Sequence, residues 1–165
     1  MTDPSRLAVV AGSFDPPTNG HIDLIERAQT LFGRVVVAVL VNPAKQPLFG
    51  LDERLAMMRE VIHARRWPVE VDTFDGLLAD YARRRGAAAI VRGLRTAGEF
   101  SHEWPVALMN RHLEPVCETV FVVPGAAVAH ISSSLVREIA ALHGPVDGLV
   151  PPAVAERLQQ RFRPS

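Results

Sequence analysis

Leu7-Ala8-Val9-Val10-Ala11-Gly12-Ser13-Phe14-Asp15-Pro16-Pro17-Thr18-Asn19-Gly20-His21 runs from an unbroken apolar segment, through a glycine- and proline-bearing loop, to the start of a helical pattern. Five consecutive apolar residues suit a strand covered on both faces. The continuation His21–Phe32 brings Ile22, Ile25, Ala28 and Phe32 to one helical face, so this helix is expected to lie half-buried on a sheet. Within the loop, Gly12 and Gly20 permit close backbone approach and Ser13 and Thr18 offer hydroxyls. His21 stands near the helix N-terminus, where free N–H groups and the dipole favour an anion. The segment therefore suits a phosphate. A histidine at this position serves either as a helix cap or as a donor to a phosphate oxygen as charge develops, a contribution of about 2–4 kcal/mol in a transition state.

Outward from this segment the same alternation repeats. Apolar runs at Leu7–Ala11, Val35–Val41, Val69–Phe74, Ala87–Val91 and Val116–Val123 predict five strands. Between and after them come predicted helices at His21–Phe32, at a segment capped by Asp52 with Leu55, Met58 and Ile62 at helical spacing, and at Leu77–Arg85, Glu99–Leu113, Ser133–Leu142 and Ala153–Phe162. Strand–helix alternation of this kind implies an α/β fold, a Rossmann-like doubly wound sheet of about five parallel strands with helices on both faces. No repeat, low-complexity tract or long linker divides the chain, so residues 1–165 are expected to form one domain. Ligands of such sheets bind beyond the carboxyl ends of the strands, which directs attention to the loops there.

Composition narrows the function classes. The chain has 165 residues, 48% of them hydrophobic, enough for one core without disulfide or structural metal. Lys plus Arg and Asp plus Glu balance at 18 each, so no global field draws the protein to nucleic acid or an anionic membrane, and any anion site must be local. Cys117 stands alone and reads as a small buried hydrophobe. Met1–Arg6 has no basic leader character, and Leu7–Ala11 is too short for a signal peptide or a membrane span, so a cytoplasmic location is expected. His63, His102, His112, His130 and His143 are scattered without metal-ligand spacing. Neither a Walker loop nor a G-x-G-x-x-G follows a strand, which removes two common phosphate-binding solutions.

Gly12-Ser13-Phe14-Asp15-Pro16 followed by Thr18-Asn19-Gly20-His21 resembles the first signature of the nucleotidyltransferase superfamily, in its T-x-G-H form, and within it the phosphopantetheine adenylyltransferase family. Three further segments fit in family order. Ile131-Ser132-Ser133-Ser134-Leu135-Val136-Arg137-Glu138 resembles the second, serine-rich signature; physically, serines entering a helix offer hydroxyls and unpaired N–H groups to phosphate oxygens, or simply an N-cap. Asn42-Pro43-Ala44-Lys45 follows the second strand, and the resemblance implies that Lys45 contacts the acceptor phosphate. Arg92-Gly93-Leu94-Arg95 follows the fourth strand, where guanidinium groups suit phosphates or form a surface ion pair with Glu99.

The resemblance implies adenylyl transfer from ATP to 4′-phosphopantetheine, giving dephospho-coenzyme A and pyrophosphate. By it His21, Lys45 and Ser13 are the catalytic candidates. Ser13, Phe14, His21, Gly93, Leu94, Arg95, Glu103, Val128, Ala129, His130, Ile131, Ser132, Ser133 and Ser134 are the ATP-binding candidates. Ser13, Lys45, Leu78 and Arg92 are the substrate-binding candidates, Leu78 beside the pantetheine arm. It further implies magnesium carried mainly on the ATP phosphates and a homohexamer. Departures from the family pattern fall at His102, where an aromatic is usual, at Pro105, which is expected to bend or delay its helix, and at Val128-Ala129-His130. Two other readings stand beside this one: an adenylyltransferase for another small phosphate such as nicotinate mononucleotide, and a nucleotide-binding regulatory module without turnover.

Overall fold

A computed structural model describes residues 5–42 and 46–163. Along the chain the elements are β1 Leu7–Gly12, α1 Asn19–Leu31, β2 Arg34–Leu40, α2 Leu51–Ala64, β3 Val69–Phe74, α3 Leu78–Arg85, β4 Ala89–Gly93, α4 Ala97–Leu113, β5 Glu118–Val122, α5 Ser133–Ala141 and α6 Pro152–Arg161. The strands pair in parallel in the order β3-β2-β1-β4-β5. The chain thus winds outward from β1 to β3, then crosses back over β1 to build β4 and β5. Strand order reverses between β1 and β4, and the crevice at their carboxyl ends is the switch point at which such sheets bind ligands.

Alternation along the strands divides two cores. Ala8, Val10, Val35, Val37, Val39 and Val91 face a core shared with Ile25 of α1, Met57 and Met58 of α2, Val136 of α5 and Leu158 of α6. Leu7, Val9, Ala11, Val36, Ala38 and Ile90 face the other side, where Tyr81 and Ala82 of α3 close the layer with Cys117. Cys117 is buried and its thiol is pushed up to about 11, chiefly by that burial and then by Glu114 and Glu118. Each fully buried Val, Leu, Ile or Met contributes roughly 1.5–3 kcal/mol, so the central strands anchor the whole fold.

Several element boundaries differ from the expectation, each for a local reason. Asp52 does not cap α2; Gly50 takes that position, and the Glu53 carboxylate accepts its N–H at 2.8 Å. β4 sits two residues later than its apolar run, and β5 excludes Val116 and Val123, which stand 81% and 74% exposed beyond the ladder. β3 is an edge strand with half-exposed polar positions rather than a doubly covered run: Asp72 lies within it, bonded to the Tyr81 hydroxyl at 2.9 Å and to Arg85 at 2.7 Å. Pro105 neither ends nor delays α4, which starts early under a Thr96 cap and continues through it to Leu113.

Candidate active site

Thr18 is the N-cap of α1, and its side-chain oxygen accepts the His21 backbone N–H at 3.4 Å. In return His21 Nδ1 accepts the Thr18 backbone N–H at 3.0 Å. A ring nitrogen that accepts carries no proton, so the neutral imidazole holds its proton on Nε2. Burial, with Arg95 and then Arg92 nearby, pushes the His21 pKa down to about 4, so the ring is a neutral donor across the physiological range. The two readings of His21 are therefore one arrangement: the cap uses Nδ1 and leaves Nε2–H for a ligand.

Phe14 orients the same ring from the other side. Its φ is +49°, its side chain is 2% exposed, and it meets the imidazole edge to face at 4.9 Å. Folding back in this way puts the Phe14 ring where a Gly12 Cβ would sit only 3.3 Å away, tighter than most such contacts. Gly12 is the position in this loop where a missing side chain matters most.

The second motif docks against the first. Ser132 caps α5 by accepting the Leu135 N–H at 3.1 Å, and the Ser133 hydroxyl donates to the Pro16 carbonyl at 2.8 Å. Both hydroxyls thus hold the scaffold, and the two helix N-termini, α1 and α5, share one crevice. Arg95 spans from the β4 side, with Nη1 donating to the Ile131 carbonyl at 3.0 Å and Nε to Glu99 at 2.8 Å. Arg92 grips Glu103 in bidentate fashion at 2.9 and 2.7 Å, and its Nη1 donates to the Ala11 carbonyl at 3.0 Å across the switch point. The ion pair with Glu99, the alternative to phosphate contact for these arginines, is made by Arg95, and Arg92 pairs with Glu103.

Three adjoining cavities meet around these groups. The largest, about 340 Å³, is bounded by His21, Arg92, Gly93, Arg95, Glu103 and the 128–133 turn. A polar one of about 240 Å³ holds Ser13, Phe14, His21, Arg54, Ser134 and Arg137. A mainly apolar one of about 190 Å³ holds Phe74, Leu78, Arg92, Glu103, Val106 and Asn110. His21 borders the first two, and Arg92 with Glu103 borders the first and third.

Most of the predicted site residues therefore converge. Leu94, Ala129 and His130 do not line these cavities; Leu94 is instead held by its N–H bond to the Val122 carbonyl at 2.9 Å, and His130 is exposed. Lys45 lies outside the described residues. Asp15, Arg54 and Arg137 went unassigned in the sequence. Asp15, 6% exposed, accepts the Leu48 and Phe49 N–H groups at 2.8 and 2.9 Å and pairs with Arg137 at 3.0 Å. The legible signal for Asp15 was its place inside the first motif; for Arg54 it was a cation among the apolar positions of α2.

Comparison with known proteins decides the family. The cytidylyltransferase-like family model matches residues 9–139. Phosphopantetheine adenylyltransferase from Caldanaerobacter subterraneus subsp. tengcongensis is 48% identical over 161 residues, 97% of this chain and 99% of that one. The protein of the same name from Alkalilimnicola ehrlichii is 53% identical over 159 residues, 94% of this chain and 90% of that one. The chain belongs to the phosphopantetheine adenylyltransferase family. A solved structure from Vibrio parahaemolyticus, which carries the name of a nicotinate-nucleotide adenylyltransferase, shares the fold at a TM-score of 0.67 and 15% identity, with 100% of this chain and 98% of that one covered. In this phosphopantetheine adenylyltransferase family member the capped histidine, the serine-capped helix and the two strand-end arginines surround one switch-point crevice.

Proposed function

We infer that the protein transfers the adenylyl group of ATP to 4′-phosphopantetheine, giving dephospho-coenzyme A and pyrophosphate. Family membership supports the activity, and one observation carries the mechanism: a neutral His21 whose Nε2–H is left free by the capping bond, at the border of two cavities. An acceptor phosphate oxygen attacks the α-phosphorus of ATP, a new P–O bond forms, and the bond to the bridging oxygen breaks with its electron pair leaving on pyrophosphate. The nucleophile is already an anion, so alignment and charge neutralisation dominate over proton transfer. In this reading His21 and Ser13 flank the α-phosphate, and Lys45 with Arg92 holds the incoming phosphate. The α5 N-terminus at Ser133 and Ser134, with Arg95, receives pyrophosphate. The apolar cavity beside Leu78 suits the uncharged pantetheine arm, and the wider cavity suits the nucleoside.

The carboxylates beside the wider cavity, Glu99 and Glu103, are engaged by Arg95 and Arg92. Among the described residues no three His, Cys, Asp or Glu side chains converge. Such a donor set fits magnesium held by ATP phosphates and water, where it would supply charge neutralisation for the phosphates. A cytoplasmic location is part of the same reading; no helix of the described residues is long and apolar enough to cross a membrane. Self-association is supported by α4, which has no buried residue and displays Phe100, Trp104 and Leu108 at four-residue spacing, 41%, 49% and 50% exposed. Six copies is the number the family resemblance implies.

Pyrophosphate release with magnesium and ATP tests the reading. Release is expected with 4′-phosphopantetheine and not with nicotinate mononucleotide. His21→Ala is expected to lower turnover by about 10²–10³-fold with smaller changes in KM, as for a donor used mainly in the transition state. Release with nicotinate mononucleotide alone would move the acceptor to the other small-phosphate class. Nucleotide binding without release would make the protein a regulatory module.

A further inference from the structure

We propose that Arg54 is a positioning residue for the transfer, setting the Ser13 hydroxyl at the phosphate-binding face; this deepens the adenylyltransferase reading above and rests on it. Only Asp15, Thr18 and Arg54 are buried polar residues among those described, and Arg54 is 5% exposed. Its guanidinium makes three bonds, all to backbone carbonyls: Nη1 to Ser13 at 2.7 Å and to Leu40 at 3.1 Å, and Nε to Phe49 at 3.2 Å. These carbonyls belong to the loop after β1, the end of β2 and the segment entering α2. One side chain thus joins the two strand ends on either side of the polar cavity and the segment that closes it.

Burying a cation against neutral acceptors costs several kcal/mol, and an apolar side chain of similar volume would fill the space without that penalty. Packing alone therefore accounts poorly for Arg54. Geometry accounts for it better, because the planar fork of a guanidinium reaches three fixed acceptors at once, whereas an ammonium is a single point on a flexible stem. Ser13 is exposed and borders the polar cavity, and Arg54 holds its main-chain carbonyl, which fixes the backbone position from which the hydroxyl projects. The charge also has a use. Among the described residues no carboxylate pairs with Arg54, while Asp15 is already paired with Arg137. The cavity holding Ser13, His21 and Ser134 therefore keeps a surplus of positive charge when no anion is bound.

The test is a double-substitution cycle on the full chain, read by pyrophosphate release with magnesium, ATP and 4′-phosphopantetheine after thermal melts confirm that each variant is folded. Arg54→Lys keeps the charge and is expected to lower kcat about 10- to 100-fold, with KM for either substrate changed by less than about three-fold. Added to Ser13→Ala, Arg54→Lys is expected to lower kcat by less than about three-fold more, since the hydroxyl it positions is already gone. Losses that multiply, or an Arg54→Lys enzyme with full turnover, would overturn the positioning role while leaving the transferase intact. A silent unsubstituted protein would instead remove the transferase reading and this proposal with it. Where Arg54→Lys does not fold, Arg54→Met fills the same space without the planar fork and carries the same expectation for kcat, and full turnover in it overturns the proposal.

Discussion

His21 uses one ring nitrogen to cap α1 and is held neutral beside Arg95 and Arg92, and the pH behaviour follows from that. The unfolded chain protonates a histidine near pH 6.5, whereas the folded site resists protonation until about pH 4. Between those values the unfolded state binds a proton that the folded state does not. Stability present above pH 6.5 is therefore lost as pH falls through this window and stops changing on this account below about 4. Urea midpoints from pH 7 to 4 should fall more steeply for the unsubstituted protein than for His21→Gln; parallel curves would show that the imidazole titrates normally. At the same scale, Thr18, Asp15 and Arg54 are polar residues whose side chains are held inside by backbone partners. Their hydrogen bonds explain why they tolerate burial, and all three lie within or against one loop.

Among the elements, α4 departs most from ordinary helix design. A proline inside a helix removes one N–H bond and crowds the preceding turn, at about 3 kcal/mol in an exposed interior, yet α4 continues for 17 residues through Pro105. Pro105→Ala is expected to raise the stability of the chain by about 1–3 kcal/mol, seen as a higher melting temperature; an unchanged or lower value would mean that Pro105 makes compensating contacts. Thr96 supplies the start that Pro105 does not, accepting the Glu99 N–H at 3.2 Å. The cap at Ser132 works in the same way for α5, so the hydroxyls that cap these two helices also fix the helix ends that border the crevice.

At the scale of the molecule, the crossing from β3 back to β4 brings Gly12 and His21, Arg92, and Ser133 together from three separate parts of the sequence. The far side of β4 and β5 carries the exposed α4 face, where Phe100 packs with Trp104 at 5.4 Å and with Phe121 at 5.8 Å between ring centroids. A contiguous exposed apolar face of this kind suits the self-association proposed above. Trp104→Glu combined with Leu108→Glu is expected to lower the assembly state in sedimentation velocity while each chain stays folded by circular dichroism. A sedimentation coefficient unchanged by both charges would place the contact elsewhere.

Much of this protein was legible in one dimension. Period-two and continuous apolar runs gave the strands because burial on one or both faces is a local property of the sequence, and the segments at Gly12–His21, Arg92–Arg95 and Ile131–Glu138 fell at strand ends and helix starts because glycine, serine and proline act locally. Residue pairing was not legible. That Arg92 would hold Glu103, that Asp15 would clamp Leu48 and Phe49, and that His21 would be kept neutral by burial beside two arginines all depend on strand order. The sequence by itself determined a parallel α/β fold and a glycine- and hydroxyl-bearing loop between the first strand and a helix start. Only the tertiary structure decided that β1 and β4 are neighbours, and with that which charges meet beside His21 and which cation is left in the polar cavity, because these are properties of distance in space rather than of separation along the chain.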